Sequence, residues 1–341
     1  MCGNVEESAI AINASSPASR YPVRDSDHLA DFTRDKRVIL LSSLAVVIGV
    51  CSAGIAFALV WLIGTITNLA FHLRFSSEFV SPTTDRLGPL IIAVPVLGGI
   101  IIGLMARFGS EKIRGHGIPE ALEAILVGRS RMDVKVAILK PLSSALSIGT
   151  GGPFGAEGPI IMTGGAFGSL FGQLFHLSSA ERRILLVAGA AGGMSAIFAS
   201  PIAAVLLSIE LLLFEWKPRS FVPVALASIV AAMLRVPLLG SGPIFPVVPH
   251  SSPSPAAMGA ALAVGLLAGV GSALLTQTVY AFEDLFHRLP LHWMWWPDLG
   301  GLVVGIGGVP DQRILGVGYG TIHGLLKGDN VGGALLLLLL V

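Results

Sequence analysis

The chain has 341 residues, of which 53% are apolar and only 13% charged, about half the ~25% of an ordinary soluble domain. So few charged side chains cannot cover a water-exposed surface of this size, which leaves a chain whose solvent is partly lipid. The balance of 22 basic against 21 acidic residues excludes a polyelectrolyte face for nucleic acid, and two cysteines, Cys2 and Cys51, supply neither a disulfide framework nor a metal-ligand spacing.

Residues 1–36 read as a flexible or partly helical polar tail without the apolar core of a cleavable signal peptide, ending in Arg34, Lys36 and Arg37. Residues 38–71 carry no charge. They exceed the roughly 20 residues a spanning helix needs and are predicted to cross the bilayer at a strong tilt. A polar stretch over 72–86 and a second apolar segment over 88–105 follow, then a basic connection with Lys112 and Arg114. Two crossings return the chain to its starting side. These bases therefore face the same side as Arg34, Lys36 and Arg37, and Arg129, Arg131 and Lys135 join them after a short non-spanning helix that ends at Leu126. The positive-inside rule then places the N-terminus in the cytoplasm, in a multi-pass protein of the cell (inner) membrane. Cys51 lies within the first apolar run and reads as a small buried hydrophobe.

Further apolar segments occupy 136–148, 159–176, 184–213, 221–240, 256–282, 299–309 and 331–341; several are too short to span, and glycine or proline interrupts many of them. Non-helical backbone at membrane depth is tolerated only where protein buries it or where it lines an aqueous path. The 42 glycines thus predict an all-α integral membrane fold of broken and tilted helices with an ion-binding interior.

An internal repeat supports this. Pro95-Val96-Leu97-Gly98-Gly99-Ile100-Ile101-Ile102-Gly103 resembles Pro297-Asp298-Leu299-Gly300-Gly301-Leu302-Val303-Val304-Gly305 at an offset of 297 − 95 = 202. Gly115-His116-Gly117 finds a counterpart in Gly318-Tyr319-Gly320, and the long apolar run from Val38 pairs with the one from Ala256. Three landmarks in order predict an inverted-repeat architecture with the ion site at its interface. The predicted units are a cytoplasmic tail over 1–36, a first transmembrane repeat over 37–240 and a partial second repeat over 241–341. The second repeat would need its own version of the Gly149–Pro159 turn, which the offset carries past Val341.

Two motifs carry chemistry. Gly115-His116-Gly117-Ile118-Pro119-Glu120 opens a short helix, and Gly149-Thr150-Gly151-Gly152-Pro153-Phe154-Gly155-Ala156-Glu157-Gly158-Pro159 again runs from glycines into a helix start. Such starts present unpaired N–H groups and a partial positive charge, which together bind an anion. The bland alternative for the first motif is an ordinary capped turn. A dinucleotide loop is a poor reading of the second, because no strand precedes it and no Lys-Ser/Thr follows. Glu157 is the exceptional residue. A carboxylate at membrane depth costs about 2.5–3.5 kcal/mol and usually faces a cavity or an ion path. Either it merely caps the following helix, or it occupies the anion's seat and leaves when protonated, acting as gate and proton carrier.

At this point GHGIPE, GAEGP and the downstream Ser200-Pro201 with Glu210 resemble the chloride channel/transporter (CLC) family, with its GSGIP and G(K/R)EGP motifs. The resemblance covers nearly everything from about residue 38 onward. It implies chloride or another small anion as substrate and no cofactor, catalytic residue or metal. It also implies a bilayer-embedded homodimer with one pore per subunit. Glu157 takes the place of the external gating glutamate. Gly115, His116, Gly117, Ile118 and Pro119, with Gly155, Ala156, Gly158 and Pro159, take the places of the anion-lining segments.

Four departures qualify this. His116 stands where serine is usual, and either its ring meets the anion, making transport pH-sensitive, or it points away and the backbone alone serves; His116→Ser is expected to change the pH dependence of anion flux in the first case. Ala156 replaces a basic residue beside the gate. Glu210 matches the first of two adjacent glutamates found in proton-coupled relatives, while Leu211 replaces the second, the internal proton-transfer group. A passive channel, or an exchanger with another proton path, then fits better; Glu210 itself is either functional or a structural partner at the cytoplasmic edge. The second anion-binding helix start (GxFxP-like) and the tyrosine that closes the inner pore are missing, and Tyr280 and Tyr319 lie in the wrong part of the chain to replace that tyrosine. The competing readings are a non-transporting truncated subunit or fragment and, far behind, a membrane-bound nucleotide-dependent enzyme.

Overall fold

The computed structural model describes residues 37–83, 86–115, 117–246 and 254–328. The tail over 1–36, His116 and the apolar segment over 331–341 lie outside the described residues. Among the described residues the regular structure is helical throughout. The helices are α1 (Arg37–His72), α2 (Ala93–Phe108), α3 (Ile118–Leu126), α4 (Val134–Gly149), α5 (Glu157–Leu174), α6 (Ser179–Phe198), α7 (Pro201–Ser208), α8 (Pro218–Leu239), α9 (Pro255–Arg288), α10 (Trp296–Gly307) and α11 (Tyr319–Lys327). Four stretches are long and apolar enough to cross a membrane: Arg37–His72, Gly88–Phe108, Pro218–Leu239 and Pro255–Arg288.

The uncharged run becomes α1, whose 36 residues at ~1.5 Å rise extend about 54 Å, well beyond a hydrocarbon core of about 30 Å, as a strongly tilted crossing requires. Leu41, Leu44, Ile48, Ser52, Leu59 and Ile63 form its buried stripe, while Cys51 on a neighbouring face is only half-buried. The helix stops where Leu73 turns to φ +53, and Asn68 secures the exit by donating to the Gly64 and Glu78 carbonyls at 2.9 and 2.7 Å. Behind α1 lie α5 and α6, the innermost pair, with α8 against α1 and α6. Gly164 and Gly189 let α5 and α6 touch backbone to backbone.

The single apolar stretch expected over 184–213 is divided. Ala199 adopts a left-handed φ of +55 and Pro201, which has no N–H to donate, opens α7. The chain then leaves α7 through a π turn over Ile209–Leu213 that ends at Phe214, φ +56.

One end of the bundle is tied by charge. Glu181, almost fully buried at the start of α6, receives Ser178 in a capping box, pairs with Arg37 at 2.7 Å and lies 3.5 Å from Arg219 at the start of α8. Arg182 donates to the Arg129 carbonyl at 2.8 and 3.1 Å, and Lys112 pairs with Asp133 at 2.7 Å. Arg129 thus shares an end with Arg37, as the two-crossing count expects.

The repeat read from the sequence is present as a helix pair. A Cβ added to Gly99 on α2 would lie 2.8 Å from the Pro297 carbonyl oxygen, and one added to Gly301 on α10 would lie 2.6 Å from the Pro95 carbonyl oxygen. Each contact is the other shifted by 202 residues. The same exchange recurs one turn away, where Gly103 meets Met294 and Gly305 meets Ile92. Ascending positions on α2 meet descending positions on α10, so the two helices run antiparallel about a local two-fold, the relation an inverted repeat demands. By contrast α9, the counterpart of α1, is exposed along its length and meets α10 near its C-terminal end, where the rings of Phe286 and His287 lie 5.8 and 5.1 Å from Trp296.

Candidate functional site

The turn before α3 is built around Gly117, whose φ of +111 is closed to other residues. A Cβ here would lie 2.8 Å from the carbonyl carbon and 3.3 Å from the Cα of Gly158. The first motif therefore meets the second backbone to backbone, Gly117 against Gly158, and α3, which opens with Ile118 and Pro119, packs against α5.

Each start offers few donors. The first four N–H groups of a helix have no partner inside it. Pro119 and Pro159 each remove one, and Ala121 N–H and Ile160 N–H already bond Gly117 and Ala156 carbonyls at 3.0 Å. At α3 the Glu120 carboxylate accepts from Gly117 N–H at 2.7 Å. The expected anion-binding turn thus holds its own carboxylate on one donor, and among the described residues no partner meets the Ile118 and Glu120 N–H groups. At α5 the corresponding groups are those of Glu157 and Gly158.

Glu157 is the first residue of α5, and the N-cap, Ala156, supplies no side-chain cap. The carboxylate folds back over Gly155, close enough that a Cβ at Gly155 would lie 2.8 Å from its Oε1. It is exposed, although the residues that follow, Gly158 to Ala166, are buried. An exposed carboxylate thus stands at the mouth of a buried helix. Ala156 is buried in the main core, so the place beside Glu157 is filled by packing rather than by charge.

The family model for the voltage gated chloride channel matches residues 98–341. The chain belongs to this family. A ClcB voltage-gated chloride channel of Salmonella typhi is 30% identical over 240 residues, covering 69% of this chain and 57% of that protein. Two solved structures share the fold: a slow cyanobacterial Cl−/H+ antiporter (TM-score 0.72, 21% identity, 90% of this chain and 71% of that one) and a CLC-type fluoride/proton antiporter (TM-score 0.74, 20% identity, 90% and 75%). The chain spans little more than half the length of the bacterial relatives it matches.

In this family member Glu210 lies on the π turn, exposed, and the turn packs against α3. Such turns recur at functional sites. Leu211 is half-buried against the main core. Sequence reasoning passed over Lys140, a lone lysine in the apolar segment that became α4. Its side chain is 2% exposed and donates to the carbonyls of Ile113 at 2.9 Å and Gly115 at 2.6 Å, pinning the turn from behind. A charge isolated inside an apolar helix was the available signal. Lys140→Met is expected to destabilise the fold by about 1–3 kcal/mol by orphaning the buried Ile113 carbonyl and the part-buried Gly115 carbonyl. The thermal midpoint of solubilised protein checks this, and an unchanged midpoint would show that the turn holds without the lysine.

Proposed function

We propose that this chain conducts small anions, chloride first among them, across a membrane, and that Glu157 gates the path. The observation that supports this most is the meeting of two glycine-entered helix starts, α3 and α5, with the Glu157 carboxylate at their junction. Unpaired N–H groups and two positive helix ends attract an anion without a fixed cation that would trap it. Lys140 is spent on carbonyls behind the turn and acts on the anion only at a distance. Glu157 competes for the same place while ionised and yields it on taking a proton.

The basic residues gathered near Arg37 support a cytoplasmic position for the N-terminal end of α1, by the positive-inside rule. A homodimer belongs to the same proposal and is checked by the mass of the detergent-solubilised particle. Leu211, in place of a second carboxylate, favours flux uncoupled from protons.

The test is chloride efflux from liposomes containing the purified 341-residue chain, with internal pH followed alongside. Protein-dependent efflux that Glu157→Gln alters supports the proposal. A folded, monodisperse protein without efflux overturns it. Stoichiometric proton movement would overturn the uncoupled version alone.

A further inference from the structure

Among the described residues, the second repeat's glycine turn has a place that the anion site leaves unexplained. Residues 313–321 fold back onto the first repeat beside the Gly149–Pro159 loop. Gly316 N–H donates to the Gly151 carbonyl at 2.9 Å, and Leu315, buried with Phe71 and Ile91, lies 3.6 Å from where a Gly151 Cβ would stand. Val317 packs on the main core. Together with Ile63 and Thr67 of α1 and Ile148 of α4, this turn encloses a cavity of about 380 Å3. The loop that leads to Glu157 therefore carries α3's turn at one end, on Gly158, and α11's turn at the other, on Gly151.

Tyr319 lines this cavity as the first residue of α11, a nine-residue helix too short to cross a bilayer. Its ring is held between Phe79, with centroids 5.9 Å apart, and Phe245, edge-on at 5.6 Å. Burial, and behind it the negative charge of Glu157, push the phenol's pKa up. The phenol accordingly keeps its proton and remains a donor. On α11 itself His323 stands one turn on from Tyr319 and is half-buried. On the other elements the nearby charged groups are held or distant. Glu120 on α3 is bound to Gly117 N–H, Lys140 on α4 to two carbonyls, and Arg313 in the cavity wall to Asp311 at 2.6 Å. On α6 the charged residues 181–183 lie at the far end, where Arg182 meets Gly172, and on α1 they lie at the two ends of the helix.

We propose that Tyr319 is a positioning residue for the gate, its phenol O–H donating to the Glu157 carboxylate when that side chain swings away from the α5 start. The second repeat's glycine turn then supplies a resting place for the ionised gate on the cavity side. A hydrogen bond between a neutral hydroxyl and a carboxylate is short and strong, so it favours the displaced, ionised carboxylate over the one competing with the anion. This inference rests on the gate reading of Glu157.

The experiment is a double-mutant cycle on the full chain in liposomes: wild type, Tyr319→Phe, Glu157→Gln and the pair, each with a pH profile of chloride efflux. Phenylalanine keeps the ring between Phe79 and Phe245, so the fold is retained. Tyr319→Phe is expected to lower neutral-pH efflux about tenfold with Glu157 present and to change nothing in the Glu157→Gln background. An equal effect in both backgrounds, or none in either, overturns the role of Tyr319 while leaving the gate standing. If Glu157→Gln alone leaves rate and pH profile as in wild type, the gate reading fails instead. A readout independent of transport is the ultraviolet titration of phenolate. The protein has three tyrosines, and the component lost in Tyr319→Phe identifies the relevant one. Glu157→Gln should move that component to lower pH, and an unmoved component overturns the proposal even if the protein conducts nothing.

Discussion

Glu157→Gln is expected to raise chloride efflux at neutral pH by about ten- to thirtyfold and to flatten its pH dependence. The size follows from the position. A carboxylate at a partly buried helix start is held there by up to ~2 kcal/mol, roughly thirtyfold in occupancy, and this is the advantage the anion must overcome. Glutamine has nearly the same shape but carries the charge of a protonated Glu157, so under the proposed gating the anion meets a path that is permanently yielded. Little cost to folding is expected. Glu157 is exposed, makes no cap for α5, and the buried run that anchors the helix begins only at Gly158. The measurement is initial efflux from liposomes across the carboxylate and imidazole titration range, with the thermal midpoint as the control for folding. A glutamine variant that stays folded and still follows the wild-type pH profile would move the titrating group elsewhere. His116, then the remaining candidate in the anion turn, would be tested next by His116→Ser.

What could be read from the chain beforehand was local or periodic. Pro119 after two glycines predicted the start of α3, and the helix runs Ile118–Leu126 as expected. The uncharged stretch after Arg37 gave α1. The break at Ala199 was hidden in an apolar stretch because a left-handed alanine has no composition signal, although Pro201 marked its neighbourhood. Three features of the site were tertiary and so invisible. The Glu120 carboxylate on Gly117 N–H reads, in sequence, as an ordinary acidic first-turn residue. Lys140 finds its two carbonyls 25 and 27 residues away. Tyr319, set aside as lying in the wrong part of the chain to replace a pore-closing tyrosine, is carried beside the Glu157 loop by the hydrogen bond from Gly316 to Gly151. The repeat was legible as an offset but not as a contact, since nothing in a spacing of 202 residues says that the two copies pack on each other.

That contact makes the second large prediction. Gly99→Ala and Gly301→Ala are expected to destabilise the protein by similar amounts, about 1–3 kcal/mol each. The added methyl would stand 2.8 and 2.6 Å from a carbonyl oxygen of the opposing helix, backbone that cannot rotate away; at Gly99 it would also lie 2.8 Å from the Asp298 carboxylate, a side chain that can. Similar losses are required because the two sites exchange under the local two-fold that relates α2 to α10. The double variant should cost less than the two singles combined. Once one methyl has pushed the helices apart, the second finds the seam already open, as expected of neighbours in one interface. Gly54→Ala is the matched control. It lies mid-helix in α1, where an added Cβ would meet nothing within 4 Å, so relief of glycine's backbone entropy should leave it neutral or stabilise it by about 0.5–1 kcal/mol. Thermal midpoints in detergent decide between these outcomes. A large loss at Gly99 with none at Gly301 would break the two-fold, whereas equal losses that add fully in the double variant would place the two glycines in independent contacts. The measured pair thus tests the inverted repeat through its own symmetry, without reference to any ion.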